Sequence, residues 1–101
     1  MTKEHIFFNV NRAQHKVFLD DILYVESLKD YVRIHTVDES LVVKGNLGST
    51  LDKLPNDRFV RIHRSYAVAR QHVKSFSHKE LLVANQKLPI GISYRGKFNI
   101  E

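Results

Sequence analysis

Phe59-Val60-Arg61-Ile62-His63-Arg64-Ser65-Tyr66-Ala67-Val68 places three basic or titratable side chains, Arg61, His63 and Arg64, inside an otherwise apolar run. Val60, Ile62 and Val68 are β-branched, and Phe59 and Tyr66 are aromatic, so the stretch favours a strand. Side chains alternate across a strand, which sets Arg61 and His63 opposite Val60, Ile62 and Arg64. A buried guanidinium is costly unless it is paired. The strand is therefore expected to end or bulge at Arg64 and release it to solvent. A guanidinium held at the end of a rigid strand is a good reader of phosphates or guanine edges. A solvated arginine on an edge strand explains the same residues equally well.

Similar runs flank this one. Ile6–Val10 reads as a short strand, Arg12-Ala13-Gln14-His15 as a turn, and Lys16–Leu19 as its hairpin partner. Asp20-Asp21 punctuates before Ile22–Ser27, and Leu28-Lys29-Asp30 forms a polar tip. Tyr31–Thr36 alternates cleanly, with Val32, Ile34 and Thr36 on one face and Tyr31, Arg33 and His35 on the other. Asp38-Glu39 turns the chain into Ser40–Lys44. The one good helix signal spans about 47–54: Leu47, Leu51 and Leu54 share a face, Asn46 or Ser49 can cap it, and Pro55 stops it. After Val68 come His72–Ser77, Glu80–Ala84, a turn at Asn85-Gln86, and Lys87–Ile90, where Pro89 suggests an edge or an end. Ser93 is placed to cap a short final helix, Tyr94–Ile100. The fold class is mainly β.

The 101 residues suit a single domain, 1–101, and 43% hydrophobic content is ordinary for a globular chain. No apolar run approaches the roughly 20 residues of a membrane helix, so no membrane partner is expected. Met1–His5 has no apolar signal-peptide core, which argues for the cytoplasm. With no cysteine, disulfides and thiolate metal sites are excluded. The charge is lopsided. Residues 51–101 carry ten Lys/Arg against four Asp/Glu, a net of +6, while residues 1–50 carry six against seven, a net of −1. Such asymmetry tilts the reading toward a polyanionic partner.

Catalytic chemistry has little support. The adjacent carboxylates Asp20-Asp21 and Asp38-Glu39 sit where turns need them. His63 and Ser65 would share a strand face, but neither an oxyanion loop nor an orienting acid follows. The six histidines lack compact ligand spacing, and no glycine loop matches a phosphate-binding fingerprint, so no metal or cofactor is expected. What recurs is polar or basic residues at strand ends: Lys29-Asp30-Tyr31 with Arg33, His63-Arg64-Ser65, and Ser93-Tyr94-Arg95 with Lys97. They form an interface only if the chain returns all three to one edge. Otherwise Lys29 and Lys97 are solvated surface, and Tyr31 and Tyr94 are partly buried with wet hydroxyls. A protein-interaction module whose basic face docks an acidic partner is the alternative of a different class.

These same segments make the chain resemble the LytTR family of bacterial DNA-binding domains. The likeness begins with Ile22-Leu23-Tyr24-Val25-Glu26-Ser27-Leu28-Lys29-Asp30-Tyr31-Val32 and continues through Leu47–Leu54, Phe59–Tyr66 and Leu88-Pro89-Ile90. It covers nearly the whole chain in order. The resemblance implies a compact fold of short antiparallel sheets with one or two short helices. It implies binding of double-stranded DNA by loops set in successive major grooves, for transcription regulation, as the output half of a two-component response regulator. The candidate contacts it implies are Lys29 to Tyr31, then His63-Arg64-Ser65, then the segment after Pro89. Many members follow Pro-Ile with Ser-Arg, where this chain has Gly91-Ile92, so the third contact falls to Ser93, Arg95 or Lys97. Members often carry Asn where this chain has Ala69. The resemblance further implies a receiver domain elsewhere in a longer protein, a sensor histidine kinase acting on it, and a dimer on repeated half-sites. The chain is then expected to be an excised DNA-binding module.

Overall fold

Alternating residues become ten short strands in a computed structural model that describes residues 4–96. β1 (His5–Val10) and β2 (Ala13–Phe18) form a two-stranded ribbon. β3 (Ile22–Ser27), β4 (Tyr31–Thr36), β5 (Ser40–Lys44), β6 (Phe59–His63) and β7 (Tyr66–Ala69) form the central antiparallel sheet, in the order β5-β4-β3-β7-β6. β8 (Val73–Phe76), β9 (Glu80–Val83) and β10 (Gln86–Pro89) make a third sheet, with β9 in the middle. Pro89 is the last residue of the edge strand β10, where its missing N–H costs no ladder bond.

At its middle, in β3 and β7, the central sheet is covered on both faces, which is why these strands read as near-continuous apolar runs, while β4 and β5 keep one wetter face. One face carries Val25, Val32, Ile34, Leu41, Val43 and Ala67 against Phe8 and Val17 of the ribbon and Leu47 and Leu54 at the helix. The other carries Tyr24, Ile62 and Val68 against Leu81, Val83, Leu88 and Ile90. The neighbours Ala67 and Val68 are both fully buried, each in a different core. Burial holds the Tyr24 phenol above its usual pKa of 10.0, and the nearby Glu26 and Tyr66 add to the shift.

The helix α1 runs Leu47–Asp52, shorter than the expected 47–54. Asn46 is its cap: the side-chain oxygen accepts the Ser49 N–H at 2.8 Å.

Four expectations about turns are corrected. Phe59–Val68 is not one strand but a hairpin, β6 and β7, turning at Arg64-Ser65. Arg61 faces Ala67 and His63 faces Tyr66, so Ile62 is the extra residue of a bulge. The first hairpin turns at Asn11-Arg12, earlier than the expected 12–15, and β9-β10 turns at Ala84-Asn85. All four of these residues have positive φ, the conformation of tight two-residue hairpins. Ser93 does not cap a helix; it lies inside a 3-10 turn, Ile92–Tyr94. The remainder of the expected final helix, from Lys97 on, lies outside the described residues.

Candidate nucleic-acid interface

Antiparallel pairing dictates which turns meet. The C-terminal end of β3 lies beside the start of β4 and the start of β7, since Ser27 faces Val32 and Glu26 faces Tyr66. The tip 28–30 and the turn Arg64-Ser65 therefore share one end of the sheet. Backbone bonds stitch them together. Ser27 N–H donates to the Ser65 carbonyl at 2.7 Å, and Leu28 N–H to that of Tyr31 at 2.8 Å. Gly45 N–H donates to Asp30 at 3.1 Å and brings in the end of β5, while Gly91 N–H donates to Ile62 at 2.7 Å and brings in the segment after Pro89. Five strands at about 4.8 Å spacing make an edge of about 19 Å before that last segment adds to it.

Lys29, Asp30, Tyr31, Arg64 and Ser93 are exposed on this edge. His63, Ser65, Tyr94 and Arg95 are half-buried behind it. Arg95 Nε donates to the Ile90 carbonyl at 3.4 Å and so turns partly inward. Arg33 stands apart, one pair in from the strand end, facing Glu26 across β3 with a charge separation of 4.0 Å. Glu26 also meets His35 Nε2 at 3.1 Å, and the His35 ring stacks on Tyr24 at 4.1 Å. Lys97 lies outside the described residues.

The Arg64 turn carries its own bracing. Arg61 donates from its guanidinium to the Arg64 carbonyl at 2.7 Å and to that of His63 at 3.3 Å. The Ser65 N–H donates to His63 Nδ1 at 3.0 Å. His63 Nδ1 thus acts as acceptor, which selects the tautomer with its hydrogen on Nε2. Arg61, half-buried, positions the turn rather than reaching outward. Lysine cannot satisfy two carbonyls with a planar fork. Arg61→Lys is therefore expected to lower stability by about 1 kcal/mol, read as a lowered midpoint in thermal or urea unfolding.

Three residues on this edge escape sequence reasoning. Lys44 ends β5 directly opposite Tyr31. Lys79 sits at the β8–β9 tip, and its carbonyl accepts the Ile90 N–H at 2.8 Å, which places it along one groove with Arg64 and Ser93. Ile92 lines that groove as well. Only the two lysines left a trace in the sequence, as positive charges at strand ends.

The opposite end of the sheet has the other sign. Asp20, Asp21, Asp38 and Glu39 cluster in its turns, held by the Val37 N–H to Asp21 carbonyl bond at 2.9 Å. Arg58 is tied there to Glu4 at 3.1 Å and to Asp20. No helix among the described residues is long and apolar enough to cross a membrane.

Comparison with known proteins agrees with this fold. The structure matches the LytTr DNA-binding domain of a methyl-accepting/DNA response regulator from Bacillus cereus with a TM-score of 0.79, covering 96% of this chain and 94% of that one, at 23% identity. In sequence the chain is 36% identical over 77 residues to the CO-responsive transcriptional regulator RcoM of Rhodospirillum rubrum, covering 69% of this chain and 33% of the relative. It is 26% identical over 103 residues to the sensory transduction protein LytT of Bacillus subtilis, covering 85% of this chain and 43% of the relative. The chain thus spans less than half the length of either curated relative. The family model described as the LytTr DNA-binding domain matches residues 12–100, and with that span, nearly the whole chain, the protein belongs to the LytTR family of DNA-binding domains.

Proposed function

We propose that this chain, as one domain, binds double-stranded DNA sequence-specifically through the stitched edge and regulates transcription. One observation carries the reading. Three polar and basic turns, far apart in sequence, lie on one sheet edge bonded to one another by their backbones. In this reading the tip 28–30, the turn at Arg64-Ser65 and the segment after Pro89 enter successive major grooves. Arg64 reads a base, with His63 Nε2 and Ser65 beside it. Lys29, Lys79, Arg95 and Lys97 contact mainly phosphates. The wider protein follows the family expectation: a receiver domain answering a sensor histidine kinase, dimerisation on repeated half-sites, and action in the cytoplasm. The names of the relatives, one a sensory transduction protein and one a CO-responsive regulator, support a signal-receiving remainder.

Selection from a random duplex pool, repeated across a salt series, tests the proposal. Enrichment of a short motif in two regularly spaced copies, with affinity falling steeply as salt rises, is expected. Salt-sensitive binding without a motif would instead favour a basic protein-interaction module. Lys29→Ala is expected to weaken all sequences alike and to lower the salt slope by about 1. A loss confined to the selected motif would remove Lys29 from the phosphate contacts.

A further inference from the structure

Ile92 is 81% exposed, the most exposed large apolar side chain among the described residues. It projects from the edge assigned to DNA, into a groove it shares with His63, Arg64, Lys79 and Ser93. The other strongly exposed aliphatics, Val37 and Val42, lie on the far β4–β5 turn and on the β5 sheet face. Ile92 is also held where it is. Gly91 N–H is bonded to Ile62, Tyr94 N–H to the Gly91 carbonyl at 2.8 Å, and Arg95 Nε to Ile90, so the residue rides on a short fixed turn. Gly91 lets that turn lie close: a side-chain carbon built there would stand 3.1 Å from the Tyr94 ring and 3.5 Å from His63. The isoleucine is β-branched, so its χ1 is stiff and its direction is set before binding.

We infer that Ile92 is a specificity-determining residue that reads the 5-methyl group of a thymine in the major groove. The inference rests on the proposed DNA-binding role and deepens it. Every base pair presents hydrogen-bond donors or acceptors in the major groove, and the thymine C5-methyl, beside its O4 acceptor, is the one apolar group exposed there. An apolar side chain that shares its groove with Arg64 and Lys79 has that single partner among otherwise polar base edges. Contact with it removes from water both the methyl and the isoleucine surface, which the free domain leaves wet. The pair thus favours thymine over cytosine at one position without a hydrogen bond.

Deoxyuridine tests this directly, because it lacks only the methyl and keeps every pairing and groove hydrogen bond of thymine. Each thymine of the motif selected by the wild-type chain is replaced in turn. One position is expected at which wild-type affinity falls about fourfold, the scale of one buried methyl group. Ile92→Ala is expected to bind the original site at that weakened level and to lose all sensitivity to the replacement there. The side chain is exposed, so the substitution leaves the core untouched. Wild-type binding indifferent to every deoxyuridine, or an Ile92→Ala variant that keeps the full penalty, overturns the assignment while specific DNA binding stands. Failure of the selection to yield a motif overturns the DNA-reading proposal itself, and this inference with it.

Discussion

Arg64→Ala is expected to lower affinity for the selected site by about 1–3 kcal/mol and to leave affinity for scrambled duplex nearly unchanged. The reason is the way the turn is built. Arg64 is exposed, yet its carbonyl is held by Arg61 and the next amide by His63, so its backbone does not need ordering on contact. Its guanidinium is a planar fork that matches the two acceptors of a guanine edge. A phosphate contact would weaken every duplex alike, whereas a base contact is lost only on the sequence that offers it. Arg64→Lys keeps the charge without the fork, and is expected to behave on the selected site more like the alanine variant than like wild type. Parallel titrations of selected and scrambled duplexes decide the matter; equal losses on the two would place Arg64 on the backbone instead.

The second large effect is on stability. Ile62→Ala is expected to cost about 2–5 kcal/mol, because it removes a fully enclosed side chain and leaves a cavity. Ile62 has no exposed surface and packs in the core shared by the central sheet and the third sheet, with Leu81, Val83, Leu88 and Ile90. It is also the bulged residue of β6, and its carbonyl holds Gly91. For a chain of this size each kilocalorie lowers Tm by about 4–8 °C. Urea unfolding with an unchanged slope and a midpoint shifted by that amount is the expected result. A change below about 1 kcal/mol would mean that the two sheets do not depend on this residue for their packing. The same variant is expected to bind DNA less well at temperatures where it remains folded, because the anchor of the segment after Pro89 loosens.

The strands were legible because period-two alternation survives wherever one face of a strand is wet, as in Tyr31–Thr36 and Ser40–Lys44. The choice at Arg64 was also legible: a charge that cannot be buried marks the place where a strand must stop. The hairpin it opens was hidden because Arg64-Ser65 contains no glycine, proline or asparagine to announce a turn. The first hairpin was misplaced for a related reason. Ala13–Lys16 are all exposed, so four of the six residues of β2 show no alternation and imitate a loop. Lys44, Lys79 and Ile92 were out of reach for a different cause. Their place on the edge follows from pairings between distant segments, Tyr31 with Lys44 and Ile90 with Lys79, which no local pattern encodes. Ile92 was harder still, since an isoleucine after Pro-Ile-Gly reads as one more core residue.

The opposite charges at the two ends of the central sheet act before any atom touches DNA. In the field of a duplex the turns bearing Asp20, Asp21, Asp38 and Glu39 are pushed away while the Lys29–Arg64–Lys79 end is drawn in. The domain is thereby rotated during its approach. Encounters begin with the correct end forward, and fewer collisions are wasted. In the proposed docking the acidic turns face away from the duplex; neutralising them would raise the net charge and quicken encounter, but more of those encounters would begin with the wrong end forward.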